Sequence, residues 1–447
     1  MKDKLLRHGP RHVVNLAITA FNTYQYKIRQ GGRYQTYRDY YLKYSAVSES
    51  ELAIEHKRRL DDFLNLSVEK SSWYRSCVDF GSLLDFPILN KQDLINNLDK
   101  IATISEREGV VSLTGGTTGA SMKVFYTKED TQERHALLDH FRAQHGYELG
   151  KKCAWFSGKN IVSEKKLKKG ICFRDDYFNK IRFFSTFHIN QNNFDIYWKS
   201  LNEFKPEFIV GFPSSVYEIC EIADSKGLIL NHKVKVFFPT AETVLPQHRE
   251  VINRVLGCKL VDQYASSEGA PFILECVKGR LHIHPLTGVF EVVDENMQPA
   301  MEGELLVTSF ATKGTPLIRY RVGDRIRLAP KDERCSCGSV FPIVDKIEGR
   351  STDYVLSPTY GKVNLGNISN STKDVLGIIQ FQVIQHSIEN LEVLVVASND
   401  FTEKEQYKFE QALEARFGSQ LEVDMKVVDQ IPKEKSGKFR LVKNLIV

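Results

Sequence analysis

The chain has 447 residues, which predicts two to four domains with ample core. Hydrophobic residues at 42% and charged residues at 26% are ordinary globular usage and exclude global disorder. The net charge of +5 is uneven: residues 1–45 hold nine Lys/Arg against Asp3 and Asp39, a balance of +7, which leaves −2 for the other 402 residues. A nearly neutral body gives no support to a nucleic-acid partner.

No uncharged apolar run approaches the ~18–20 residues of a membrane span. The apolar segment Val13–Phe21 is short and lacks the small-residue cleavage site of a signal peptide. Eight cysteines in a chain this long do not read as a disulfide framework. Together these features predict a cytoplasmic protein.

Residues 1–45 are basic and tyrosine-rich (Tyr24, Tyr26, Tyr34, Tyr37, Tyr40, Tyr41, Tyr44). Two readings stay open: a helical arm packed on its own body, or contact with an anionic membrane surface. The middle of the chain alternates strands and helices. Phe208–Gly211 reads as a buried strand, Pro213 to Lys226 as a helix ending at Gly227, and Val234–Phe238 as a strand. Pro246–Leu256 reads as a helix with Pro near its first position and Gly257 past its end. Lys259–Tyr264 reads as the next strand. This repetition predicts α/β units with function at the C-terminal ends of strands. Further on, Phe381–Ile384, Leu391–Val396 and Leu421–Val428 read as strands. Thr402 and Glu405 form a capping-box pattern opening a helix that ends near Phe417. That β-β-α-β unit could fold separately, with a boundary near Gly349–Asp353.

Five short motifs carry chemistry. Thr114-Gly115-Gly116-Thr117-Thr118-Gly119 offers backbone N–H groups and hydroxyls that can wrap phosphate, or form a plain turn. It lacks the Gly-Lys-Ser/Thr ending of a Walker A loop. Asp262-Gln263-Tyr264-Ala265-Ser266-Ser267-Glu268, at a strand end, joins an aromatic that can stack on a base to a carboxylate suited to Mg2+. Tyr320-Arg321-Val322-Gly323-Asp324 places an Asp at an expected turn, where it can accept from a ribose diol. Gly349-Arg350 supplies fixed guanidinium donors. Pro432-Lys433-Glu434-Lys435-Ser436-Gly437-Lys438 is either a mobile lysine loop or a solvated basic tail.

In order and spacing these five resemble the ANL adenylate-forming superfamily. Within it they are most similar to the phenylacetate–CoA ligase-like branch, including the CapK-like proteins of capsule and surface polysaccharide clusters. Ser72-Trp73-Tyr74-Arg75, Phe86 to Leu94, Gly211-Phe212-Pro213-Ser214-Ser215 and Thr240-Ala241-Glu242 resemble further signatures of that branch. The resemblance spans about residues 60–447. It implies a large N-terminal α/β adenylate-forming domain of mixed sheets and helices with a small mobile α+β C-terminal domain. The corresponding division is an arm at 1–45, an ATP- and acyl-binding domain at 46–350 and a lid at 351–447.

The activity it implies is attack of a small-molecule carboxylate on the α-phosphate of ATP, then transfer of the acyl group to CoA or to an amine such as an amino sugar. Carried over, Thr114, Gly115, Gly116, Thr117, Thr118 and Gly119 would hold the β/γ-phosphates. Glu268 would bind Mg2+, and Tyr264 would lie on adenine, preceded by Asp262. Thr240, Ala241 and Glu242 would line the adenine pocket. Asp324, with Arg350 nearby, would grip the ribose. Lys438 would bridge carboxylate and α-phosphate, and Thr352 or Asp353 would be the hinge. A non-catalytic nucleotide-binding scaffold of the same fold is the competing expectation, against which Lys438, Glu268 and Asp324 argue. Gly115 stands where the branch usually has serine, Ala265 where it has glycine and Ser121 where proline is common.

A similar resemblance implies a structural zinc site from Cys276, His282, Cys335 and Cys337, with His284 as the alternative imidazole. Cys77, Cys153, Cys172, Cys220 and Cys258 read as buried thiols. His188 is a candidate for the border of the acyl pocket.

Overall fold

The computed structural model describes residues 6–446 apart from 78, 115–121, 159–160, 351–353, 373–374 and 435–437. Two compact units form: residues 1–20, 150–261 and 348–447 make the first, and residues 21–149 and 262–347 the second. Among the described residues no helix is long and apolar enough to cross a membrane.

The first unit contains a six-stranded sheet in the order Phe173–Asp176, Ile181–Ser185, Cys153–Ser157, Phe208–Gly211, Val236–Pro239, Lys259–Leu260. All neighbours run parallel except the first pair, which is an antiparallel edge hairpin. The central strands are apolar along their whole length because helices such as Pro213–Ser225 and Pro246–Leu256 cover them. Gly257 closes the latter helix with φ +63°, a left-handed cap where glycine costs least.

The same unit holds a four-stranded sheet in the order Glu422–Val427, Asn390–Ala397, Ile378–Gln385, Val442–Asn444. Its central pair is antiparallel and its outer pairs parallel. Strand alternation divides its side chains between two cores. Val383, Val393 and Val395 meet Phe409, Leu413 and Phe417 of the helix Glu403–Phe417. Ile379 and Val396, with Ile431, join the core of the six-stranded sheet beside Val216 and Ile219.

The second unit is built on a seven-stranded sheet that runs from Gly288–Val293 at one edge to Gln263–Tyr264 at the other. Helices Tyr34–Tyr44, Glu49–Lys70 and Lys128–Gln144 belong to this unit. Three tyrosines of the first are engaged by the third: Tyr34 donates to Asp139 (2.8 Å), Tyr41 to Glu133 (2.9 Å) and Tyr37 to Glu129. Buried Arg59 pairs with Glu133.

Three sequence expectations need correction. Lys259–Tyr264 is two short strands, Lys259–Leu260 and Gln263–Tyr264, in different sheets. Asp262 interrupts them, turning its carboxylate onto the Gln263 N–H (2.8 Å) while its own N–H goes to Glu275 (2.8 Å). Thr402 does precede the C-terminal helix, but without a side-chain cap. Glu405 instead accepts from the Leu376 N–H (2.8 Å) and Lys408 (2.6 Å). Cys77 is half-buried, whereas Cys153, Cys172, Cys220 and Cys258 are buried.

Gly211 ends the strand before Pro213, with φ +151°. A Cβ there would lie 2.1 Å from the Phe156 carbonyl oxygen, a backbone atom of the paired strand. Gly211→Ala is expected to cost about 1–3 kcal/mol through overpacking, read as a lower urea midpoint.

Candidate active site

In the second unit, Val110–Thr114 pairs antiparallel with Met122–Tyr126. Residues Gly115, Gly116, Thr117, Thr118 and Gly119 of the proposed phosphate loop lie outside the described residues, as does Ser121. The strands on either side of the loop are both tied to the turn that carries Glu268. Ser112 Oγ donates to the Ser267 carbonyl (3.0 Å), and the Tyr126 hydroxyl donates to the same oxygen (2.9 Å). Arg134 braces the far side of the turn through the carbonyls of Gly269 (2.8 Å) and Ala270 (3.1 Å). The Ser266 hydroxyl accepts from the Ala270 N–H (3.0 Å). Gly269 has φ +110°, and a Cβ there would stand 2.4 Å from Thr312 Cγ2. Glu268 is therefore a half-buried carboxylate on a turn held from several sides, a geometry that fits a hard cation.

Tyr264 and Asp324 are brought together: the phenol donates to Asp324 Oδ2 at 2.7 Å. Asp324 is not at a turn, as the sequence predicts, but inside the strand Tyr320–Leu328. There Arg321 faces Leu306 and Arg325 faces Glu304, so three residues on one strand oppose one on the other. Gly323, at φ +84°, makes that bulge, which re-aims the following carboxylate.

In the first unit, Thr240 donates its N–H to the Gly211 carbonyl (2.8 Å), and Ala241 takes φ +66°. Glu242 is half-buried. Its two oxygens accept from the Ser214 N–H (3.1 Å), at the first turn of Pro213–Ser225, and from the Phe439 N–H (2.9 Å). Burial pushes this carboxyl above its usual range, and the bonds from Ser214 and Phe439 oppose the shift. The bond to Phe439 places Lys438 one residue from the Thr240–Glu242 segment. Gly349, at φ +86°, packs so that a Cβ would lie 2.8 Å from Thr243 Oγ1. Arg350 ends the strand Ile343–Arg350; its side chain, and residues Thr352 and Asp353, lie outside the described residues.

Sequence reasoning missed Lys433. It is not part of a solvated tail: its side chain is 2% exposed, and its ammonium donates to Glu218 (3.1 Å) and the Thr186 carbonyl (2.6 Å). Burial raises the Glu218 pKa and Lys433 opposes that rise. A buried glutamate on the inner face of Pro213–Ser225 was the available signal, since such a charge requires a partner. Gln430 adds long bonds to the carbonyls of Phe187 and Ile189 (both 3.4 Å). His188 binds the Val162 carbonyl through Nε2 (3.0 Å).

The cysteine–histidine set converges within the second unit. The ligand atoms of Cys276, His282, Cys335 and Cys337 lie within 4.8 Å of one another. With Zn–S near ~2.3 Å and Zn–N near ~2.0–2.1 Å, tetrahedral edges are roughly 3.8 Å for S···S and roughly 3.6 Å for S···N. Cys276 Sγ to Cys335 Sγ is 3.8 Å, and Cys337 Sγ to His282 Nε2 is 3.6 Å. His282 Nδ1 lies 3.0 Å from the Phe341 carbonyl, which fixes the tautomer and leaves the Nε2 lone pair for a metal. These four residues could hold a zinc ion. His284 belongs to the packing instead: it is buried edge-on to Tyr41 and Phe341, and burial drives its pKa down to about 3.

Two outcomes are expected. Purified protein should carry one zinc per chain by elemental analysis, lose it in Cys335→Ser, and melt at a lower temperature without it. Lys433→Met should lower stability by about 3–5 kcal/mol because Glu218 is left buried and unpaired, with recovery when Glu218→Leu is added, measured by denaturant unfolding.

The CapK C-terminal domain family matches residues 355–445. Protein CapK of Staphylococcus aureus is 31% identical over the full length of both chains. The indoleacetate–lysine synthetase of Pseudomonas savastanoi is 22% identical, covering 73% of this chain and 80% of its own. The phenylacetate–coenzyme A ligase of Escherichia coli is 26% identical over 62% of this chain and 64% of its own. Among solved structures, 2-hydroxyisobutyryl-CoA ligase with a bound acyl-AMP has a TM-score of 0.69 at 16% identity, over 90% of each chain, a likeness of fold.

Proposed function

The chain belongs to the CapK family within the ANL adenylate-forming superfamily, and from that premise we propose that it activates a carboxylic acid with ATP and transfers the acyl group to an acceptor. In the first half-reaction a carboxylate oxygen bonds to the α-phosphorus and the bond to pyrophosphate breaks, giving an acyl-adenylate. In the second, a thiol or amine attacks the acyl carbon, loses its proton and displaces AMP.

The observation that carries this reading is the hydrogen bond from the Phe439 N–H to Glu242. A solvated tail has no reason to hold its backbone against a half-buried carboxylate. A lysine loop delivered to the Thr240–Glu242 segment does. Lys438 is then the mobile ammonium that offsets charge developing on the α-phosphate, where a positioned cation contributes most. No general base is needed, because the nucleophile is already ionised at neutral pH.

The remaining roles belong to the same proposal. Residues Thr114 to Gly119 hold the β/γ-phosphates, Tyr264 lies on adenine, Thr240, Ala241 and Glu242 serve the adenine pocket, and Asp324 and Arg350 serve the ribose hydroxyls. The phenol bound to Asp324 Oδ2 keeps that carboxylate aimed. Mg2+ on Glu268 would neutralise phosphate charge. The zinc set, with four protein ligands and no open position, would be structural.

CoA is the first acceptor to test. An amine is the second reading, and the indoleacetate–lysine synthetase relative, spanning more of this chain than the E. coli phenylacetate–coenzyme A ligase, supports it. A place in capsule or surface polysaccharide assembly is part of the proposal through the motif resemblance.

Incubation with ATP, Mg2+, hydroxylamine and a panel of carboxylic acids tests the first half-reaction. Pyrophosphate and hydroxamate should appear together with one acid class, and Lys438→Ala should slow both by at least ~100-fold. Adding CoA or amino sugars in place of hydroxylamine then distinguishes the acceptors. ATP binding without turnover of any acid would overturn catalysis in favour of a scaffold.

A further inference from the structure

The N-terminal helix Arg11–Arg29 is turned inside out for a protein helix. Its covered side holds Val14 and fully buried Asn15, whose amide donates to the Tyr177 hydroxyl at 2.9 Å. Thr19 Oγ1 accepts from the Tyr177 N–H at 3.0 Å. Its open side carries Val13, Leu16, Ala17, Ala20, Phe21 and Tyr24, all exposed; Leu16 is 61% and Tyr24 62% exposed. These positions follow the three- and four-residue spacing of a single helical stripe. The hairpin tip fixed against the helix by Tyr177 presents Phe178, 72% exposed. A contiguous apolar stripe of this kind on an open helix face marks an interaction surface.

Charge identifies the occupant. From residue 4 to residue 38 the sequence has no Asp or Glu, while it has seven Lys/Arg and two His. Arg7, His8, His12 and Lys27, on or beside the helix, are exposed. Pairing this face with a second copy would set cationic segment against cationic segment. An anionic bilayer supplies both an apolar boundary for the stripe and negative headgroups for its flanks. We propose that helix Arg11–Arg29 is an interfacial anchor that lies flat on an anionic lipid surface through the Val13–Tyr24 stripe.

The test is sedimentation of the full chain with phosphatidylcholine vesicles made with or without phosphatidylserine. Binding should be at least ~tenfold stronger with phosphatidylserine and should fall at high salt. The double variant L16D/F21D changes only exposed side chains. It should retain its circular dichroism spectrum and its hydroxamate activity, if any is found, while losing at least ~tenfold in vesicle binding. Equal binding by the variant, or none by the native chain, would overturn the anchor. So would a concentration-dependent dimer in light scattering that the variant abolishes, which would assign the stripe to self-association.

Discussion

A half-buried carboxylate with two backbone donors ties together three segments of the first unit. Glu242 comes from the segment after Val236–Pro239, Ser214 opens the helix Pro213–Ser225, and Phe439 follows the lysine loop near the end of the chain. Three distant pieces of sequence thus meet on one side chain. Leaving either N–H unpaired would forfeit a hydrogen bond to a carboxylate, one of the stronger kinds. The helix start adds its positive dipole end to the same carboxylate. Ala241, held at φ +66°, and Gly211, where a Cβ would strike the neighbouring strand, are local compromises that let the Thr240–Glu242 segment reach this position.

The second unit solves a different problem, holding polar groups open for a ligand. The Glu268 turn spends its carbonyls on Ser112, Tyr126 and Arg134, so its geometry does not depend on what Glu268 binds. The bulge at Gly323 and the Tyr264 phenol do the same for Asp324. Fixed dipoles of this kind need little reorganisation when charge appears, which is the property nucleotidyl transfer demands of a site.

Much of this was legible in the sequence where local chemistry decides the outcome. Phe208–Gly211 and Pro246–Leu256 were read with their observed limits, because a Pro at a helix start and a Gly past its end act within one turn. The Cys276–His282–Cys335–Cys337 set was expected through the family resemblance and does converge, although only packing separates His282 from His284. The failures share one cause, a side chain taken by a distant partner. Glu405 left the capping box for Leu376, Asp262 broke a strand beside Glu275, and Lys433 left a lysine-rich run to meet Glu218. Local propensity carries no information about such partners. Gly323 was visible in the sequence, but a bulge shows only when the opposing strand is known.

The two links that hold the lysine loop also constrain how it could leave. Lys433–Glu218 is an ion pair with both side chains 2% exposed, and Glu242–Phe439 joins a half-buried carboxylate to backbone. The ion pair cannot stretch gradually, because partial separation leaves a charge in a dry interior before water can reach it. A swing of the kind the lysine-loop resemblance implies must therefore break the pair and rehydrate Lys433 and Glu218 in one step. That favours two discrete positions of the C-terminal strands over a continuum. The ion pair has no role in chemistry under this argument. Under the proposed function, its contribution would be to make the delivery of Lys438 all-or-none.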